Sequence, residues 1–227
     1  MDVASNEQIK EQVLRELKWD TRVDETEIGV AVTHGVVTLL GTTDSYVKKI
    51  AAQEAAHRVA GVLDVANDIK VRVPGSLARS DPDLAQAVRH ALAWDVLVPD
   101  ERIRSTVADG WVTLEGSVAL LREREDAERA VAHLAGVRGM INKIVVAGPK
   151  VDAGQVRTLI EEALARRARR EAERMRVEVE NGVVTVSGTV DSWSEKQAIL
   201  AVLSHTPGVR SVNDSLDIDP YARVDPR

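Results

Sequence analysis

The chain has 227 residues and a net charge of −6, and 44% of it is hydrophobic but only 3% aromatic. That is ample apolar material for packed cores, built from Val, Leu, Ile and Ala because Phe is absent, and it gives no compositional case for disorder. The absence of Cys excludes disulfides, thiolate metal sites and a Cys nucleophile, and the negative balance argues against nucleic acid as a partner, since a general binder needs a basic face for phosphates.

Taken in chain order, Ser5 followed three residues later by Gln8 is a helix-start signal. Ile9, Val13 and Leu17 then repeat every four residues, as the buried face of a helix does. Ile28, Val30 and Val32 alternate as a strand, and His34-Gly35 makes a turn. Val37 and Leu39 mark a second strand, which Gly41 is expected to end. A second helix from about Ser45 to Ala60 buries Ala52, Ala55, Ala56 and Val59. Gly61 is placed as its left-handed C-terminal cap, and Ile69, Val71 and Val73 form a third strand.

The rest of the chain repeats this unit twice. Gly35, Gly110 and Gly182 recur at offsets of 75 and 72 residues, and so do Gly41, Gly116 and Gly188, and Gly61, Gly136 and Gly208. The later turns, Asp109-Gly110 and Asn181-Gly182, are strong hairpin signals because both positions need positive φ. The corresponding first helices start at Asp81-Pro82 and at Asp152, with apolar faces of Leu84, Val88 and Leu92 and of Val156, Ile160 and Leu164. The units span 5–73, 80–148 and 152–220, with Pro- and Gly-bearing linkers between them. The order within each is αββαβ. The expected fold class is α+β: three tandem two-layer sandwiches, each a three-stranded mixed sheet with two helices on one face.

The hairpin Gly-Val/Trp-Val-Thr-Leu/Val-x-Gly, then a helix, then Gly-Val and an Asn before an apolar strand, resembles the BON domain, three times over. The familiar multi-BON proteins are osmotically induced periplasmic proteins and outer-membrane lipoproteins. The resemblance therefore implies a non-enzymatic binding or scaffold protein of stress adaptation that associates with phospholipid surfaces. The alternatives are a protein-interaction or self-assembly module using exposed sheet edges, and sensing of a small cation such as potassium. No cofactor is expected. No apolar run approaches the ~20 residues of a membrane-spanning helix, so no transmembrane segment is expected. No basic region followed by an apolar stretch opens the chain, so the expectation is a cytoplasmic protein that touches membranes only peripherally.

Residues for that contact are few. Trp111 stands opposite in phase to Val112 and Leu114, which places it on the open face of its sheet. Arg166, Arg167, Arg169 and Arg170 form the densest basic run; they read either as a solvated helix end among Glu residues or as a seat for anionic headgroups. Trp19 and Trp94 hold equivalent positions and are expected to cap the edges of their cores, with an anchor at a membrane interface as the other reading. Asp64, Asn67 and Asp68 read as turn chemistry rather than as cation ligands.

Overall fold

The computed structural model describes residues 5–148, 152–156, 158–159, 162, 175–190 and 193–218. The first repeat runs α1 (Asn6–Trp19), β1 (Ile28–Thr33), β2 (Val36–Thr43), α2 (Tyr46–His57) and β3 (Asp64–Val71). The second runs α3 (Asp81–Trp94), β4 (Ile103–Ala108), β5 (Trp111–Val118), α4 (Leu121–Ala132) and β6 (Gly139–Val146). In the third, residues 153–156 and 158–159 are helical, followed by β7 (Met175–Glu180), β8 (Val183–Val190), α5 (Trp193–His205) and β9 (Ser211–Ile218). A one-turn 3₁₀ helix precedes β1 at Glu25–Glu27 and β4 at Asp100–Arg102.

Each repeat carries its own three-stranded sheet, with the second strand in the centre. In the first, β1 pairs antiparallel with β2, and β2 pairs parallel with β3 from Val36–Asp64 to Thr43–Val71. The third repeats that register, from Met175–Gly188 across the hairpin to Val190–Ile218. The helix between the parallel strands supplies the crossover that such pairing requires. The cores follow the expected faces. Ile9, Val13, Leu17, Val37, Leu39, Ala52, Ala55, Ala56 and Ile69 form one cluster in the first repeat. Leu84, Val88 and Leu92, with Val112, Leu114 and Val131, are likewise fully buried. Each full burial of a Val or Leu contributes roughly 1.5–3 kcal/mol, which matters in units of about 70 residues that bury only ~60% of their unfolded surface.

The turns are as read: His34, Asp109 and Asn181 all have φ of 52°, each followed by a positive-φ glycine, the signature of a type I′ hairpin. Other local readings need correction. Gly41, Gly116 and Gly188 do not end the second strand, which runs on to Thr43, Val118 and Val190. They sit inside it at φ of 130–141°, and at Gly41 and Gly116 another backbone segment crosses there. A Cβ on Gly41 would lie 2.0 Å from the carbonyl oxygen of Glu27, and one on Gly116 would lie 2.1 Å from that of Arg102. Gly61, Gly136 and Gly208 have positive φ but are not helix caps. The second helices end at His57, Ala132 and His205, and these glycines occupy the turn beyond. There they meet the hairpin. A Cβ on Gly35, Gly110 or Gly182 would fall 2.8–3.1 Å from the carbonyl oxygen of Gly61, Gly136 or Gly208 respectively.

The cap of α3 is Ser80, not Asp81: the Ser80 hydroxyl accepts the Asp83 N–H (3.3 Å) and the Ser80 carbonyl accepts the Leu84 N–H (2.9 Å). Ser5 forms the expected capping box with Gln8, and Asp152 caps residues 154 and 155 through its side chain. Asp64, Asn67 and Asp68 lie on β3 rather than in a turn. Alternation sends Asn67 toward α2, where its amide donates to the Lys49 carbonyl (2.9 Å), while Asp64 and Asp68 face the other way. The three therefore cannot converge on one ion.

The crossing glycines give the first prediction. Gly41→Ala must move the Glu27 carbonyl as well as adopt a positive φ, and is expected to cost about 2 kcal/mol or more. Gly29→Ala, whose Cβ would meet nothing closer than 3.9 Å, is expected to change stability by less than about 1 kcal/mol. Urea unfolding of the two variants beside wild type checks the difference.

Candidate functional site

The end of the first helix is where the repeats diverge. The core stripe of α1 is Ile9, Val13 and Leu17, and that of α3 is Leu84, Val88 and Leu92. Trp19 and Trp94 come two residues after the last member, about 200° around the helix. Both therefore point away from the core: Trp19 is 81% exposed and Trp94 is 89% exposed. The expectation that they cap core edges is overturned.

Around Trp19 the chain is held by charge. Asp20, with its side chain almost buried, receives the Arg22 guanidinium at two oxygens (3.0 and 2.8 Å) and Arg58 at 2.9 Å. Arg58 also pairs with Glu16 at 2.7 Å, and Arg22 with Glu54 at 3.0 Å. The clamp ties the end of α1 to the end of α2. The Arg22 hydrogen bonds, and secondarily that of Arg58, hold the Asp20 carboxyl well below the usual carboxylate range against the opposing effect of burial.

The second repeat lacks this clamp. At the positions of Glu16, Glu54, Arg22 and Arg58 it has Ala91, Arg129, Leu97 and His133. The Asp95 carboxylate, equivalent to that of Asp20, accepts the local Leu97 N–H at 3.0 Å, and its carbonyl accepts the Val98 N–H at 3.0 Å. His133 turns to the Arg129 carbonyl of its own helix at 2.9 Å. In place of the clamp, the loop after α3 displays Val96, 95% exposed, and Leu97, half exposed, beside Trp94. Val98, the next residue, is buried and pins the loop to its core. Three adjoining large apolar side chains in water are an unfavourable arrangement for stability and a favourable one for contact. Sequence reasoning passed over Val96 and Leu97. The angular offset from the core stripe was the available signal for Trp94.

Trp111 is on the open face of its sheet as expected, at 50% exposure. Its ring lies flat across β6, so close to Gly139 that a Cβ there would be 2.5 Å from Cζ3. Half of its surface thus covers a glycine on the neighbouring strand, an arrangement that stabilises the sheet. Ile141 is exposed on the same face. Arg166, Arg167, Arg169 and Arg170 lie outside the described residues. Among the described residues, no group of three or more His, Asp or Glu is placed to hold a metal ion, and no helix is long and apolar enough to cross a membrane.

Three tandem three-stranded sheets with their helices, and exposed tips that differ between the first two repeats, define a repeated binding-type module. The chain belongs to the BON domain family, whose model matches residues 5–73, 80–148 and 152–220. It is 29% identical over 126 residues to osmotically-inducible protein Y of Escherichia coli (strain K12), an alignment that spans 54% of this chain and 63% of that protein. It also aligns with the C-terminal domain of CdsD, the structural protein of the type III secretion system of Chlamydia trachomatis. That alignment covers 92% of this chain and 96% of the other at 13% identity, with a TM-score of 0.27, too low to carry an argument.

The clamp sets a pH dependence. The folded-state pKa of Asp20 is depressed, so its contribution to stability is fully present above the unfolded-state value of about 3.9 and fades as pH falls below it. Asp20→Asn is expected to cost about 1–3 kcal/mol at neutral pH and to flatten the acid limb of the stability curve. Thermal melts of both proteins between pH 7 and pH 3 measure this; parallel curves would contradict it.

Proposed function

We propose that the protein is a non-enzymatic module of stress adaptation that docks on phospholipid surfaces through the loop after α3. The observation that carries the reading is the exposed triplet Trp94, Val96 and Leu97, standing where the first repeat keeps a charged clamp. Tryptophan favours the depth of lipid headgroups, and two aliphatic neighbours add apolar surface for shallow insertion. The likeness to an osmotically inducible protein supports the stress context. At the equivalent position the third repeat carries Arg166, Arg167 and Arg169, which would add attraction to anionic lipid.

A second reading is favoured by the open sheet face at Trp111 and Ile141, which suits a protein partner or a second copy. The two readings separate in one assay. In liposome flotation, wild type is expected to rise with vesicles of mixed phosphatidylethanolamine and phosphatidylglycerol. A Trp94→Ser/Val96→Ser variant should bind at least tenfold more weakly, a difference of about 1.4 kcal/mol or more. Trp111→Ala should float as wild type does. Equal flotation of wild type and the double variant, or none by either, would count against lipid docking through this loop and move the case to the sheet face.

A further inference from the structure

The linker between the first two repeats folds over the hairpin turn of the second and leaves a cleft of about 250 Å³, lined by Arg79, Asp81, Asp109, Gly110, Gly136 and Arg138. Its construction is specific. The Asp81 carboxylate receives the N–H groups of Asp109 (2.8 Å) and Gly110 (3.0 Å), one on each oxygen. Two successive amides in a left-handed turn form an anion-binding concavity, and Asp81 fills it from within the chain. The stem of Arg138 runs along Gly110, where a Cβ would be 3.0 Å from Cγ, and the stem of Arg79 runs over Gly136 at 3.3–3.7 Å. Both glycines thus act as seats for arginine side chains. Neither guanidinium has an ion-pair or hydrogen-bond partner among the described residues, although two carboxylates line the same cleft.

The set is particular to this junction. At the positions of Arg79, Asp81 and Arg138, the first repeat has Ala4, Asn6 and Leu63, and the third has Val151, Ala153 and Arg210. Two anchored, unpaired guanidiniums offer charge-assisted, fork-shaped donors for one tetrahedral oxyanion. The Asp109 carboxylate beside them disfavours a bare polyanion and favours a ligand with a positive group next to its phosphate. We propose that this cleft binds a phosphate monoester or diester carrying an adjacent ammonium, the chemistry of phosphoethanolamine, with Arg79 and Arg138 on the phosphate and Asp109 on the ammonium. The proposal goes beyond docking through the Trp94 loop and does not depend on it.

The probe is soluble O-phosphoethanolamine, titrated by calorimetry into the full chain at constant ionic strength, with inorganic phosphate beside it. Wild type should bind phosphoethanolamine more tightly than inorganic phosphate. Arg79→Gln/Arg138→Gln should weaken both by at least about tenfold while the melting temperature without ligand stays unchanged, because both side chains are exposed. Asp109→Asn should narrow the preference for phosphoethanolamine. Absence of binding by wild type, or undiminished binding by the arginine variant, would overturn the proposal. If inorganic phosphate bound as tightly as phosphoethanolamine, the role of Asp109 would fall. Competition arms identify the source. Inhibition of flotation on phosphatidylethanolamine vesicles by the soluble probe assigns the site to a lipid headgroup, and binding of the probe with flotation unaffected assigns it to a free metabolite. Trp94→Ser/Val96→Ser should leave the calorimetric titration unchanged, which keeps failure of the cleft distinct from failure of the loop.

Discussion

The first and second repeats are each held in shape by two places where backbone meets backbone with no room for a side chain. At Gly41 and Gly116 the second strand passes within reach of a carbonyl oxygen just before the first strand begins. At the hairpin, the left-handed turn glycine rests against the carbonyl of the glycine turn that follows the second helix. The two contacts fix the start of the first strand and the start of the third against the central one. Once they are set, alternation decides which side chains enter the core, and the helices have one face of the sheet to cover.

A scaffold fixed by its backbone leaves its tips free to vary. The loop after the first helix is clamped by Asp20, Arg22 and Arg58 in the first repeat and is apolar at Trp94, Val96 and Leu97 in the second. Neither version disturbs the stripe of buried residues that holds the helix down. The first two repeats therefore carry differently furnished tips on one architecture, and function is to be sought in those differences rather than in the shared glycines.

Much of this was legible in the chain, and the failures have physical reasons. Strand phase, turn positions and helix faces follow from short-period patterns such as Ile28-Val30-Val32 and Leu84-Val88-Leu92, which depend only on local geometry. Gly41 and Gly61 recur as clearly as Gly35, but their reasons are contacts with Glu27 and with the hairpin turn, and no local pattern shows a partner distant along the chain. Ser80 was displaced by its neighbour because Asp81-Pro82 is itself a good cap pattern; the carboxylate of Asp81 is engaged instead by amides almost thirty residues away. Trp94 was misread from residue type, although its angular offset from Leu92 was available. Arg79 and Arg138 form no pattern in sequence and come together only through the fold of the linker.

The central claim is that the tip after α3 is the contact surface, and the protein carries its own reporter there. In a variant with Trp94 as its sole tryptophan, fluorescence would be recorded while phospholipid vesicles are added, with bromine-labelled acyl chains as quenchers. The account predicts a blue shift and quenching of Trp94 and no response from a counterpart that retains only Trp111. A silent Trp94 with a responsive Trp111 would contradict it.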